Sequence, residues 1–228
     1  MVPVATEYTL CFVVERLPAD ARSILEVGCG EGELAARLKK RGFEVLAIDS
    51  DADCVAATRA ASVEALQLEW PAAVERRFDA VLFTRSLHHV RDLDGGIAAA
   101  VEALAPGGRI IVEDFRSEGG SQRGTAWFCG LVKLLNEAGA FRHEFDLEAT
   151  LAKTETADHE DPHHSSTAIG DALAKIGSVE AEDSACYFRY LEPELRTTQT
   201  AKRLLDHELE LMSAGAIDAL GKRFVLSI

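Results

Sequence analysis

The run Ile24-Leu25-Glu26-Val27-Gly28-Cys29-Gly30-Glu31-Gly32 leads an apolar strand into three alternating glycines, and a helical pattern opens directly after them. Glycine has no Cβ, so it permits both the sharp strand-to-helix turn and a close approach of backbone to a ligand. One strand–helix unit downstream, Phe43-Glu44-Val45-Leu46-Ala47-Ile48-Asp49 is a second apolar strand, and it ends in a carboxylate. A glycine-rich first turn with an acid about 20 residues on is the layout that holds a nucleoside whose ribose hydroxyls bond the acid. The spacing departs from the dinucleotide pattern. G-x-G-x-x-G starting at Gly28 would need its third glycine at Glu33, and that glycine falls instead at Gly32. A helix entrance carrying Glu31 and Glu33 suits no pyrophosphate, so NAD and FAD are not expected ligands.

A second group with chemical potential is Ser86-Leu87-His88-His89-Val90, directly after the apolar strand Asp79 to Thr84. Histidine titrates near neutrality, so His88 or His89 can take a proton from a hydroxyl; the competing role is a structural hydrogen bond. Asp158-His159-Glu160-Asp161-Pro162-His163-His164 has a metal-like composition. Pro162 breaks the shared helix face that His159 and His163 would need, so a solvated loop, or a lid with one functional histidine, is expected and no metal site. The five cysteines (Cys11, Cys29, Cys54, Cys129, Cys186) include no C-x-x-C pair, which argues against a zinc ribbon or redox dithiol. Cys29 reads as a small residue of the glycine loop.

The elements that must position these residues alternate. Helix Ala5 to Arg16 precedes strand Ser23 to Val27; helix Gly32 to Arg41 leads to strand Glu44 to Asp49; helix Ala52 to Ala61 leads to strand Val63 to Leu68. After a turn at Pro71, strand Asp79 to Thr84 is followed by helix Leu93 to Ala105 and strand Arg109 to Phe115. Such alternation means βαβ units and a doubly wound parallel sheet, an α/β fold. Beyond Phe115 come helix Thr125 to Ala138, a mixed polar stretch from Phe141 to His164, helix Thr167 to Ile176, a strand-like Cys186-Tyr187-Phe188-Arg189-Tyr190, helix Thr198 to Ala214 and a terminal strand Lys222 to Ile228.

The E-x-G-x-G-x-G string at Glu26, the Phe78-Asp79 pair before the fourth strand and Leu104-x-Pro106-Gly107-Gly108 before the fifth together resemble the class I S-adenosylmethionine (SAM)-dependent methyltransferases. The resemblance is good from Ser23 to about Phe115 and diffuse beyond. It implies a seven-stranded, mostly parallel sheet with an antiparallel last strand, SAM as cofactor, and transfer of a methyl group. In such a fold the cofactor site would draw on Glu26, Gly28, Cys29, Gly30, Asp49, Ser50, Glu69, Trp70 and Thr84, with Arg85 beside Thr84 at the methionine end. Asp49 would bind the ribose, its competing role being a helix cap. Glu69 and Trp70 would lie near the adenine, with Trp70 against the purine face or in the core. His88 and His89 are the candidate bases. The chain reads as one domain, residues 1–228, in which 117–166 is a helical and loop insertion after the fifth strand that covers the substrate. Trp127, Phe128, Leu131 and His163 would contact that substrate, or the aromatics would only pack their helix onto the body.

Composition narrows the acceptor. The chain has 228 residues, 47% hydrophobic and 27% charged, with 38 acids against 24 Lys and Arg and a formal charge of −14, which argues against nucleic acid. A small molecule is the expected substrate, with oxygen preferred over nitrogen as acceptor because the histidines supply bases. The alternatives are a sulfur or metalloid acceptor, should Cys11, Cys129 and Cys186 converge, and a catalytically silent SAM-binding protein. No run approaches a membrane span and residues 1–17 carry no basic leader, so a cytoplasmic enzyme without a membrane partner is expected. A homodimer is a candidate assembly.

Overall fold

The computed structural model describes residues 3–116, 121–150 and 164–228. Its strands are β1 (Ser23–Val27), β2 (Glu44–Asp49), β3 (Glu64–Gln67), β4 (Phe78–Thr84), β5 (Leu104–Phe115), β6 (Ser178–Ser184) and β7 (Gly221–Ser227). Side chains alternate across the central strands. Ile24, Leu82, Ile111 and Val225 belong to one apolar cluster, while Leu25, Phe83, Val112 and Phe224 belong to another. A sheet apolar on both faces needs helices on both. The first face is covered by α1 (Val4–Arg16), α2 (Glu33–Lys40) and α3 (Ala52–Ala60) through Leu10, Val13, Leu34, Leu38 and Val55. The second is covered by α4 (Leu93–Ala103) and α6 (Ser166–Ala174) through Ile97, Ala100, Ile169 and Leu173.

The strand order is β3-β2-β1-β4-β5-β7-β6; β1 to β5 pair in parallel, and β7 runs antiparallel between β5 and β6. This is the expected seven-stranded, doubly wound sheet. Asp79 locks its centre, since its Oδ2 accepts the N–H groups of Arg22 and Ser23, each at 2.8 Å, and the Ser23 hydroxyl. A third apolar cluster joins α5 (Gln122–Glu137), residues 141–147, α7 (Tyr187–Leu191) and α8 (Thr198–Ser213) through Phe128, Val132, Phe141, Phe188, Leu191 and Leu204. Among the described residues no helix is long and apolar enough to cross a membrane.

Two expectations are corrected. Residues 186–190, read as a strand, form the start of α7, because buried Glu208 of α8 accepts the N–H groups of Cys186, Tyr187 and Phe188 at 2.6, 2.9 and 2.9 Å and turns the chain there. The sixth strand is instead Ser178–Ser184, a largely exposed edge whose Glu182 and Asp183 pair with Arg16 and Arg116. The helix expected to reach Ala105 stops at Ala103. β5 begins at Leu104 and shifts register through the Pro106-Gly107-Gly108 segment, with Leu104 opposite Phe78 and Arg109 opposite Ala80.

Candidate active site

The strand order reverses between β1 and β4, and at such a switch point an open α/β sheet forms a crevice at the carboxyl ends of its strands. A cleft of about 440 Å³ lies there, lined by Glu26, Gly28, Cys29, Gly30, Thr84 and Arg85, with Thr6 and Thr9 of α1 on its far side. Gly28 and Gly30 both have left-handed φ, +72° and +53°, which costs any side chain strain. Their surroundings differ. A Cβ on Gly28 would lie 2.4 Å from Ser86 Cβ, whereas one on Gly30 would meet nothing within 4 Å. Gly28 is therefore required by packing, and Gly30 leaves an open backbone cradle inside the cleft.

Asp49 reaches this cradle: its Oδ2 accepts the Gly30 N–H at 2.8 Å and its Oδ1 the Asp51 N–H at 3.0 Å. The helix-capping role falls to Asp51, which accepts from Asp53 and Cys54 at the start of α3, so Asp49 is not the cap. Ser50 is exposed beside it. Cys29 is buried against Thr58, with Sγ 3.5 Å from the Thr58 hydroxyl, and burial pushes its thiol up to about 11.

Glu26 sits among apolar strand residues at 1% exposure, and its Oε2 has no hydrogen-bond partner. Burial pushes its carboxyl up to about 8, with Arg85 and the Thr84 hydroxyl pulling the other way. Because the neutral form is favoured in the fold, this contribution to stability is complete below the ordinary carboxylate range and is lost as pH rises through about 8. Glu26→Gln removes the titration. The variant's melting temperature is expected to gain on the wild type between about pH 5 and about pH 9, and a pH-independent difference would contradict the assignment.

The next feature was not legible as a site. Glu113 near the end of β5 is 3% exposed and is held by Arg189 Nη2 at 2.7 Å, Arg223 Nη2 at 2.6 Å, Arg85 Nη1 at 3.3 Å and the Thr9 hydroxyl at 2.6 Å. Burial raises its pKa, but Arg189, Arg223, the Thr9 hydroxyl and Arg85 together hold it below the usual range. The network ties α1, which roofs the cleft, to β5, β7 and α7. The signal available in the sequence was a pair of acids, Glu113-Asp114, ending an otherwise apolar central strand.

Asp114 serves the histidines. His88 is 7% exposed; its Nδ1 lies 2.5 Å from Asp114 Oδ1, and its backbone N–H donates to Asp114 Oδ2 at 3.2 Å. His89 is exposed, and its ring packs on that of His88 with centroids 3.9 Å apart. His164, at the end of the expected insertion, docks on the same turn: its N–H donates to the His88 carbonyl at 3.1 Å and its Nε2 lies 2.9 Å from the Val90 carbonyl. Residues 158–163 of the expected loop or lid, His159 and His163 among them, lie outside the described residues. Among the described residues no three His, Cys, Asp or Glu side chains are grouped to hold a metal.

Other expected contacts sit elsewhere. Trp70 is 8% exposed and is a core residue, edge-on to Phe83 and donating its indole N–H to the Gly96 carbonyl at 3.0 Å, so its placement favours packing over a purine face. Glu69 is exposed after β3. Phe128 is 4% exposed and packs on Tyr187 and Tyr190; Trp127 packs on Tyr187 and His207, and Leu131 lies at the edge of the same cluster. A ring path nevertheless joins them to the histidines, from Phe128 to Tyr190 to Phe115 to His88.

A family model described as a methyltransferase domain matches residues 5–175, most of the chain. The chain belongs to the class I SAM-dependent methyltransferases. It is 39% identical over 106 residues to a ribosomal RNA small subunit methyltransferase C of Chromohalobacter salexigens, covering 42% of this chain and 32% of that one. It is 36% identical over 104 residues to a ubiquinone biosynthesis O-methyltransferase of Alkalilimnicola ehrlichii, covering 40% and 41%. The chain thus spans less than half the length of these two relatives. A crystal structure of an S-adenosylmethionine-dependent methyltransferase from Mesorhizobium loti matches with a TM-score of 0.62 at 19% identity, over 99% of both chains, and shares the fold. The methyltransferase sheet places Gly30, Asp49, Glu26 and Thr84 around one crevice at its carboxyl edge.

Proposed function

We propose that this methyltransferase moves a methyl group from SAM to a small-molecule acceptor, with oxygen preferred over nitrogen. Bound SAM would supply an electrophilic methyl carbon on its sulfonium sulfur, which leaves as the neutral thioether of S-adenosylhomocysteine. Gly28, Cys29 and Gly30 would form its backbone cradle, Asp49 would accept from the ribose hydroxyls, Ser50 and Glu69 would rim the nucleoside, and Thr84 would meet the methionine end. The residues fit such a ligand. The open space over Gly30 admits it, and a cleft edged by Glu31 and Glu33 suits a cation.

The observation that carries the oxygen reading is the His88–Asp114 pair. A carboxylate accepts, so the ring proton sits on Nδ1 toward Asp114 and the basic electron pair on Nε2. Nε2 of His88 would take the proton of an acceptor hydroxyl as that oxygen becomes the nucleophile. His89, exposed with its ring packed on that of His88, is the second candidate. Residues 117–166 would cover the acceptor within one domain; His164 docked on the His88 turn supports this. The resemblance to an O-methyltransferase points the same way, while a formal charge of −14 opposes a phosphate-rich acceptor such as that named by the ribosomal RNA relative. A metalloid or sulfur site built from Cys11, Cys129 and Cys186 finds no support, because Cys11 is exposed and burial pushes the Cys186 thiol up to about 12.

Incubation with methyl-labelled SAM and panels of phenols, amines and thiols tests the reading. Label in phenols or alcohols is expected. Label confined to amines or thiols would overturn the oxygen preference, and tight binding of S-adenosylhomocysteine (SAH) with no transfer to any panel would favour a silent binder.

A further inference from the structure

Phe115 is the odd ring of the described residues. It ends β5, an inner strand whose Glu113 holds Arg85 and Thr9 of the cleft wall, so it stands beside the cofactor cleft. A phenylalanine on an inner strand is expected to be buried in a core. Phe115 is only half-buried, and it belongs to none of the three apolar clusters. Gly221 lies opposite it on β7 and has no side chain to cover its ring. Among the described residues its ring neighbours are His88, edge-on with centroids 5.7 Å apart, and Tyr190 of α7, tilted by 32° at 6.3 Å. Tyr190 is half-buried too, whereas Phe128, Tyr187 and Phe188 of its cluster are buried. None of the described residues bonds the Tyr190 hydroxyl, and burial pushes its pKa up with no hydrogen bond to offset it. A hydroxyl drawn away from water and left unbonded carries a cost that a ligand's polar atom would recover.

Two half-covered rings beside a histidine make a place for a third ring, since aromatic faces and edges attract one another beyond the area they bury. We propose that Phe115 and Tyr190 form the acceptor shelf and select a flat aromatic ring, with its hydroxyl toward His88 and a second polar group at the Tyr190 hydroxyl. The end of the ring that faces His88 rests on the oxygen reading above. A ring contact of this kind is worth about two- to tenfold in affinity, and the Tyr190 hydrogen bond about the same. A saturated alcohol of the same size gains the burial and not the ring contact.

The test pairs an edit of the ligand with an edit of the residue. 2-Naphthol, its saturated counterpart decahydro-2-naphthol, 2,7-dihydroxynaphthalene and tetramethylammonium are titrated calorimetrically into the protein in the presence of SAH. The wild type is expected to bind 2-naphthol at least about tenfold tighter than decahydro-2-naphthol, and 2,7-dihydroxynaphthalene about threefold tighter again. Phe115→Leu keeps apolar volume and removes the ring, so it should lose most of the first preference. Tyr190→Phe should keep the first preference and lose the second, with SAH affinity and melting temperature close to those of the wild type; it serves where Phe115→Leu folds poorly. Equal binding of 2-naphthol and its saturated counterpart by the wild type would overturn the shelf. So would preferences that survive intact in both variants, or tetramethylammonium bound more tightly than 2-naphthol, as a cage for a cation would bind it. Methyl-labelled SAM separates the two readings. A ring preference with label passing to 2-naphthylamine and not to 2-naphthol would support the shelf and remove the oxygen preference.

Discussion

Replacing His88 by glutamine is expected to lower kcat by about 10²–10⁴-fold on a hydroxyl acceptor, with SAH affinity nearly unchanged. Glutamine fills much of the same space and can still donate toward Asp114, but it cannot take a proton. Asp114→Asn is expected to lose activity for a related reason. Its amide can donate to Nδ1, which then carries the electron pair, and Nε2 is left protonated. The two variants should share a second sign: the fall of the rate toward acid pH that a histidine base produces should flatten in both. A purely structural His88 would show otherwise, with a lowered melting temperature, weakened SAH binding and an unaltered rate profile. Rates of His88→Gln within about threefold of the wild type would remove His88 as the base.

The second large effect concerns the glycine loop, where two neighbouring glycines should fail differently. Gly30→Leu projects a side chain into space with no protein atom within 4 Å, so the obstruction falls on the ligand, and a loss of SAH affinity greater than about a hundred-fold is expected. Left-handed φ adds strain of roughly 1–2 kcal/mol, a tolerable loss for a folded domain. Gly28→Ala drives its Cβ against Ser86, so its main cost should be a lowered melting temperature. Asp49→Asn keeps an acceptor for the Gly30 N–H and removes the charge, and about a tenfold loss of SAH affinity is expected. If Gly30→Leu bound SAH as the wild type does, the cradle would have to lie elsewhere.

The parts of the fold that could be read from the sequence are those whose signals are local. Strands β1, β2, β4 and β5 carry near-continuous apolar runs because both faces are covered, and the glycine loop announces a turn that few other residues can make. β6 carries no such signal. It is an exposed edge whose alternating acids meet Arg16, Arg116 and Lys222, residues distant in the chain. Residues 187–191 have the aromatic content of a strand, and they turn into a helix because Glu208, about 20 residues later, caps them.

The site divides in the same way. Asp49 was legible because the end of its strand fixes its place, and Asp51 took the capping role that competed with it. Asp114 and Arg85 carry little local signal because their contacts form between strands: Asp114 meets His88 across the β4–β5 edge, and Arg85 shares Glu113 with Arg189 and Arg223. Trp70 shows the converse. Its position after β3 suited a purine, yet the Gly96 carbonyl and the Phe83 ring draw it into the core.

Calorimetric titration of the protein with SAH, set beside NAD under the same conditions, tests the central claim most directly. Saturable binding of SAH at one site, weakened about tenfold by Asp49→Asn, with no measurable heat from NAD, is the expected result. Absence of SAH binding by the folded protein, or NAD binding of comparable strength, would contradict the account.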